Sequence, residues 1–269
     1  MALSVVPFVA LGAAGAMAAA PDRQTQAKVI GDYAAAATAA AMSAPLVACV
    51  DVAITKNTAG TERMWPSFFQ EVTALARQPL AALRRPTVGW LFMLYVGTYG
   101  AANSVRTVTE ARKVDSTVPV LAASTVANGS ISIAKDRAFA RMFGAIRPTA
   151  MPGMTYSVWL ARDVLSVSFF FTVPPAFSEA LSECGADRAT ADGVAYFTSP
   201  LVAQLFCTPL HLLGLDLYNR RGASPRERGH LLRKELAVTV AARCARMIPA
   251  FSLGGVVNRS LRVRLHDST

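Results

Sequence analysis

The chain has 269 residues, of which 53% are apolar and only 16% charged, with a mean hydropathy of +0.35. Soluble domains carry about a quarter charged residues, so this balance excludes an ordinary cytosolic domain and points to an integral membrane protein. The formal net charge of +10 does not indicate nucleic acid, because the basic residues lie between apolar runs rather than on one face with stacking aromatics. That placement fits basic membrane loops facing anionic lipid headgroups.

Residues 1–20 have the apolar core and small residues of a signal peptide, yet no Lys or Arg precedes the core. A short extra helix, an uncleaved leader and a piece docked on the bundle are all compatible with them. From Val29 onward the pattern is regular and predicts an all-α membrane bundle of about six transmembrane helices, near 29–53, 86–106, 117–140, 153–177, 193–217 and 236–258. Residues 1–28 then form an N-terminal segment and linker, 29–258 the membrane domain and 259–269 a basic tail.

The first helix is rich in small residues, with Ala35, Ala39 and Ser43 on one face at four-residue spacing. Close backbone packing in lipid and simple helix propensity explain that face equally well. Pro86 and Pro152 stand near helix starts, where a missing amide hydrogen matters least. Pro45, Pro174, Pro175, Pro200, Pro209 and Pro249 fall inside predicted spans and are expected to kink them. On the second helix Tyr95, Tyr99 and Asn103 recur every four residues as a polar and aromatic stripe, readable as packing or as a binding face.

Loop charges predict the orientation. Lys56, Arg63, Arg77, Arg84 and Arg85 follow the first helix, Lys135, Arg137, Arg141 and Arg147 surround the connection from third to fourth, and Arg220, Arg221, Arg226, Arg228, Arg233 and Lys234 join fifth to sixth. These connections share one side, which the positive-inside bias makes the interior one.

Three predicted helices end alike. Cys49-Val-Asp51 is followed by Lys56, Ala134-Lys-Asp136 by Arg141, and Gly214-Leu-Asp216 by Arg221. A small residue, an Asp two positions on and a basic residue five beyond it recur, which predicts a helix pair repeated three times. An Asp facing lipid is costly, so all three acids are expected to turn inward.

This pattern resembles the mitochondrial solute carrier family, whose signature at the end of each odd helix is Pro-x-Asp/Glu-x-x-Lys/Arg-x-Lys/Arg. Asp51, Asp136 and Asp216 match its acidic position, and Lys56, Arg141 and Arg221 its last basic position. The signature proline is replaced by Cys49, Ala134 and Gly214, and the middle basic residue by Ile54, Phe139 and Asn219. In the family that middle residue closes the matrix gate, and the retained basic positions or Lys135 and Arg137 are candidates to replace it. The resemblance implies a multi-pass protein of the mitochondrial inner membrane that moves a small anionic solute by alternating access. The missing gate residues favour a second class, a non-transporting carrier-like scaffold or accessory subunit of a membrane complex.

Ionisable residues inside apolar spans are candidates for function. Arg162 and Asp163 lie in the fourth helix, and Arg243 and Arg246 in the sixth. The resemblance places Arg162 and Arg246 near the family's solute contacts, where a planar guanidinium suits a carboxylate or phosphate. Arg162, Asp163, Arg246, Tyr99 and Asn103 are therefore the expected solute-binding residues, with Arg162 and Arg246 facing one cavity. His211, beside Pro209, reads more simply as a packed histidine than as a proton relay. No catalytic residue, cofactor or metal site is expected, since His211, His230 and His266 lack ligand spacing and no phosphate loop appears. Of Cys49, Cys184, Cys207 and Cys244, only Cys184 lies in a polar stretch, and their spacing predicts no disulfide framework.

Overall fold

The computed structural model describes residues 6–146, 150–171 and 173–269, which form helices and, among the described residues, no strand. Arg147, one of the loop cations above, lies outside them. In chain order the elements are α1 (Val6–Ala19), α2 (Arg23–Ala59), α3 (Met64–Arg77), α4 (Pro79–Leu83), α5 (Pro86–Ala111), α6 (Thr117–Phe143), α7 (Gly153–Phe171), α8 (Val173–Glu183), α9 (Arg188–Asn219) and α10 (Pro225–Ala245). A π-helical segment (Ile248–Gly255) and α11 (Val256–Asp267) complete the chain.

All six predicted apolar segments are helical over their described residues. The fourth takes in α7 and α8, and the sixth passes from α10 through the π-helical segment around Pro249 into α11. Among the described residues four stretches are long and apolar enough to cross a membrane: Arg23–Ala59, Thr117–Phe143, Gly153–Glu183 and Arg188–Asn219. The basic tail expected from 259 is mostly helical, making up all but the first three residues of α11, which packs on α2. At the other terminus, α1 docks on α5 and α2.

Local chemistry sets the ends of α2. Asp22 caps its start by accepting from the Thr25 amide at 2.7 Å. Gly60 closes it in the left-handed region at φ 74°, where a side chain would be strained. Ala35, Ala39 and Ser43 are wholly buried, so the small-residue face is a packing surface. The main partner of α2 is α5, and a Cβ at Gly100 of α5 would overlap the Tyr33 ring. In lipid such close fit and interhelical hydrogen bonds hold helices together, because lipid tails are as apolar as the side chains. Gly214 plays the same part between α9 and α7, where an added Cβ would meet the Trp159 indole.

The packing order runs α2 to α5, α5 to α6, α6 to α7, α7 to α9 and α9 to α10, and the π-helical segment and α11 return to α2. Neighbours in sequence are thus neighbours in space, and the ring encloses a polar interior. Outside it lies α3, which packs on α2 through Met64 and Phe68 and leaves Trp65, Phe69 and Val72 exposed. That division into two faces is the pattern of a helix lying at a membrane interface.

Candidate functional site

The ring surrounds a cavity of about 210 Å³. Its walls come from α5 (Tyr95, Thr98, Tyr99), α6 (Asn128, Ser132, Asp136), α7 (Arg162, Asp163), α9 (His211) and the α10 end with its continuation (Arg243, Arg246, Ala250). Drug-sized pockets run to about 300–1,000 Å³, so this volume suits a smaller solute. A second groove of about 580 Å³, between α2, α3 and α10, has Arg246 as its only charged lining residue among the described residues. It lacks the convergent polar groups that orient a solute.

A chain of alternating charges forms one end of the cavity. Arg246 bonds Asp51, Asp51 bonds Lys135, Lys135 reaches Asp136 at 2.8 Å, and Asp136 bonds Arg162. Arg162 then meets Asp163 at 2.7 Å and donates to Ser132 Oγ at 3.1 Å. It also donates from Nη1 to His211 Nδ1 at 2.9 Å. An arginine has no acceptor, so His211 accepts at Nδ1 and carries its proton on Nε2. Asp51, Lys135, Asp136, Arg162 and Asp163 are each at most 5% exposed. Buried charges at this depth persist because each finds an opposite partner.

The residues singled out from sequence separate into three groups. Tyr99, Asp136, Arg162, Asp163 and Arg246 come together on the cavity, and Asp51 joins them through Lys135 and Arg246. The stacked rings of Tyr95 and Tyr99 form one wall, with the Tyr99 hydroxyl donating to the Ala250 carbonyl at 2.8 Å. Asp216, the third aspartate of the supposed repeat, does not converge with the other two. It is 1% exposed and pairs with Arg220 and Arg228. The three basic repeat positions also diverge: Lys56 pairs with Glu62 and Glu71, Arg221 donates to the Ala150 carbonyl, and Arg141 has a buried Nε with no partner among the described residues. Lys135 bridges Asp51 and Asp136, while Arg137 is exposed.

Arg162 and Arg246 share the cavity, yet they do not form a net positive site. Each is bonded to carboxylates, so the charge available to an anionic solute is largely neutralised. The sequence shows the arginines and the acids but not their pairing, in which Asp136 reaches Arg162 from the preceding helix and Asp51 meets Arg246 across 195 residues of chain.

Asn103 belongs to a second polar cluster. It exchanges hydrogen bonds with Asn258 at 2.9 Å, and one turn on, Thr107 donates to Asp32 at 2.6 Å. Asp32 is fully buried and also meets Arg262 Nε at 3.0 Å and His266 Nε2 at 2.9 Å. This cluster was missed from sequence. Its one signal, an Asp within an Ala-rich helix, has partners more than 200 residues away.

Long apolar helices closed around a polar, charge-lined cavity define a membrane transport protein. Residues 35–266 match the family model described as "Probable citrulline exporter", and the chain belongs to that family of transporters. No curated protein matches it. The match overturns the resemblance to mitochondrial carriers, and the partial signature has a different explanation: Asp51 and Asp136 are buried charge-cluster residues, and Asp216 anchors the start of the basic loop after α9. The mitochondrial inner membrane entered only through that resemblance; the family match and the apolar helices support a multi-pass membrane protein.

Proposed function

We propose that the chain exports a small neutral amino acid of the citrulline kind, by alternating access around the central cavity. The observation that carries this reading is the family match over residues 35–266, which brackets nearly every residue of the cavity and its charge chain. Citrulline is a zwitterion at its α-carbon and carries an uncharged ureido group. A cavity in which Arg162 and Arg246 are already paired with carboxylates suits such a solute better than an anion. At the far wall Thr98, Asn128 and Ser124 offer neutral donors and acceptors that match a ureido group.

Purified protein in proteoliposomes loaded with labelled citrulline, ornithine or citrate tests the proposal. Efflux of citrulline ahead of cationic ornithine and anionic citrate is the expected result. Citrate efflux alone would restore an anion site, and efflux of none of the three would favour the scaffold role.

A further inference from the structure

Four cations and two carboxylates line the cavity, with Asp51 bonded to two of the cations, and two of these seven groups are incompletely bonded. Lys135, Arg162 and Arg246 each contact a carboxylate. Arg243 is as buried as Lys135 and Arg162, at 4% exposed, but its Nε donates to the neutral oxygen of Gln204 at 2.9 Å. Among the described residues no carboxylate pairs with Arg243 and no acceptor meets its terminal nitrogens. A guanidinium withdrawn from water without a counter-ion is strongly unfavourable, and its fork is shaped for a carboxylate.

Asp163 is the complement. Its Oδ1 takes both bonds from Arg162, at 2.9 and 2.7 Å. Its Oδ2 is buried and, among the described residues, has no donor. A carboxylate oxygen in that state lacks a hydrogen-bond donor, and a primary ammonium brings three.

Both groups line the one cavity, Asp163 from α7 and Arg243 from the end of α10. Gln204, which holds Arg243, and His211, which abuts the arginine holding Asp163, both belong to α9. Resting on the reading of the chain as an amino-acid exporter, we infer that Arg243 and Asp163 form the zwitterion clamp of the cavity. Arg243 receives the α-carboxylate of the solute, and Asp163 Oδ2 accepts from its α-ammonium. The arginine pair expected from sequence serves instead to hold this clamp in place: Arg162 orients Asp163, and Arg246 keeps Asp51 from reaching Arg243.

Titration calorimetry on the purified full chain tests the clamp with three probes: citrulline, its α-amide and its Nα-acetyl derivative. The natural sequence is expected to bind each derivative about tenfold to a hundredfold more weakly than citrulline, the range for losing one charge-assisted hydrogen-bonded pair. In Arg243→Gln, citrulline and its amide should bind equally; in Asp163→Asn, citrulline and the acetyl derivative should bind equally. Arg243→Lys keeps the charge without the fork and should retain most of the discrimination against the amide. If either neutral variant fails to fold, the probes on the natural sequence and the Lys variant still decide. Citrulline binding with no penalty for either derivative, or an amide penalty that survives in Arg243→Gln, would overturn the clamp and leave the exporter reading standing. A natural sequence that binds no citrulline would remove both.

Discussion

Asp51 and Asp32 sit on the same helix, both buried, both accepting from cations, yet their surroundings differ in kind. Nineteen residues separate them on α2, about 28 Å and close to the ~30 Å of a bilayer's apolar core, so they mark opposite ends of one span. The partners of Asp51 are themselves buried or face the cavity, and they pass charge on to Asp136, Arg162 and Asp163. The charged partners of Asp32 are Arg262 and His266 of α11, neither of which lines the cavity. The first cluster lines the space for a solute; the second clasps the C-terminal helix onto α2 and α5. A buried carboxylate therefore indicates a transport site when its partners face a cavity, and a clasp when they face the rim.

The largest expected effect separates the two clusters by stability. Asp136→Ala leaves Lys135 and Arg162 buried without their shared acceptor and should cost about 3–5 kcal/mol. Asp32→Ala leaves cations that can turn to water, and its loss should be about 1–3 kcal/mol. Unfolding of detergent-purified variants measures both, and a larger loss at Asp32 would break the distinction. Next in size, Arg262→Ala should loosen α11 without disturbing the cavity. Hydrogen exchange should then accelerate across 256–267 and stay unchanged in α6 and α7.

Smaller effects lie at the helix starts. Ser224 and Glu227 form a capping box at α10, the helix that carries Arg243. Ser224→Ala should cost about 1 kcal/mol, visible as faster exchange in the first turn of α10. Asp22 and Asp187 cap α2 and α9, and the backbone amides of Thr25 and Thr190 hold both carboxyls below the ordinary 3.8. A depressed carboxylate contributes stability above its unfolded value and loses it as pH falls through the folded one. The Thr25 and Thr190 amides should therefore be protected at pH 5 and lose that protection only below pH 3.8. Loss beginning near neutrality would assign the caps wrongly.

Much of the fold was legible because length and apolarity are local properties. The run from Val29 to Ala53 reads directly as a span, and it lies within α2. The π-helical segment was partly legible in Pro249. The site was legible only by residue type. Arg162, Asp163, Arg246 and Tyr99 do reach one cavity, because ionisable and aromatic groups in a span turn inward. Their charge balance was not legible, since Asp51 meets Arg246 across 195 residues of chain. Short motif likeness misled for the same reason. An Asp near the end of an apolar helix, followed by basic residues, satisfies many folds, and here it placed Asp216 in a pairing separate from Asp51 and Asp136.

The distinction between site and clasp is tested most directly by citrulline efflux from proteoliposomes carrying Asp163→Asn or Asp32→Asn, each compared with the natural sequence at equal amounts of folded protein. The account predicts that Asp163→Asn loses about tenfold or more of the efflux, in line with a lost charged hydrogen bond, while Asp32→Asn stays within about twofold of the natural sequence, the tolerance set by small changes in transition-state binding. Full efflux in Asp163→Asn together with its loss in Asp32→Asn would contradict the account and move the solute site to the other end of the span.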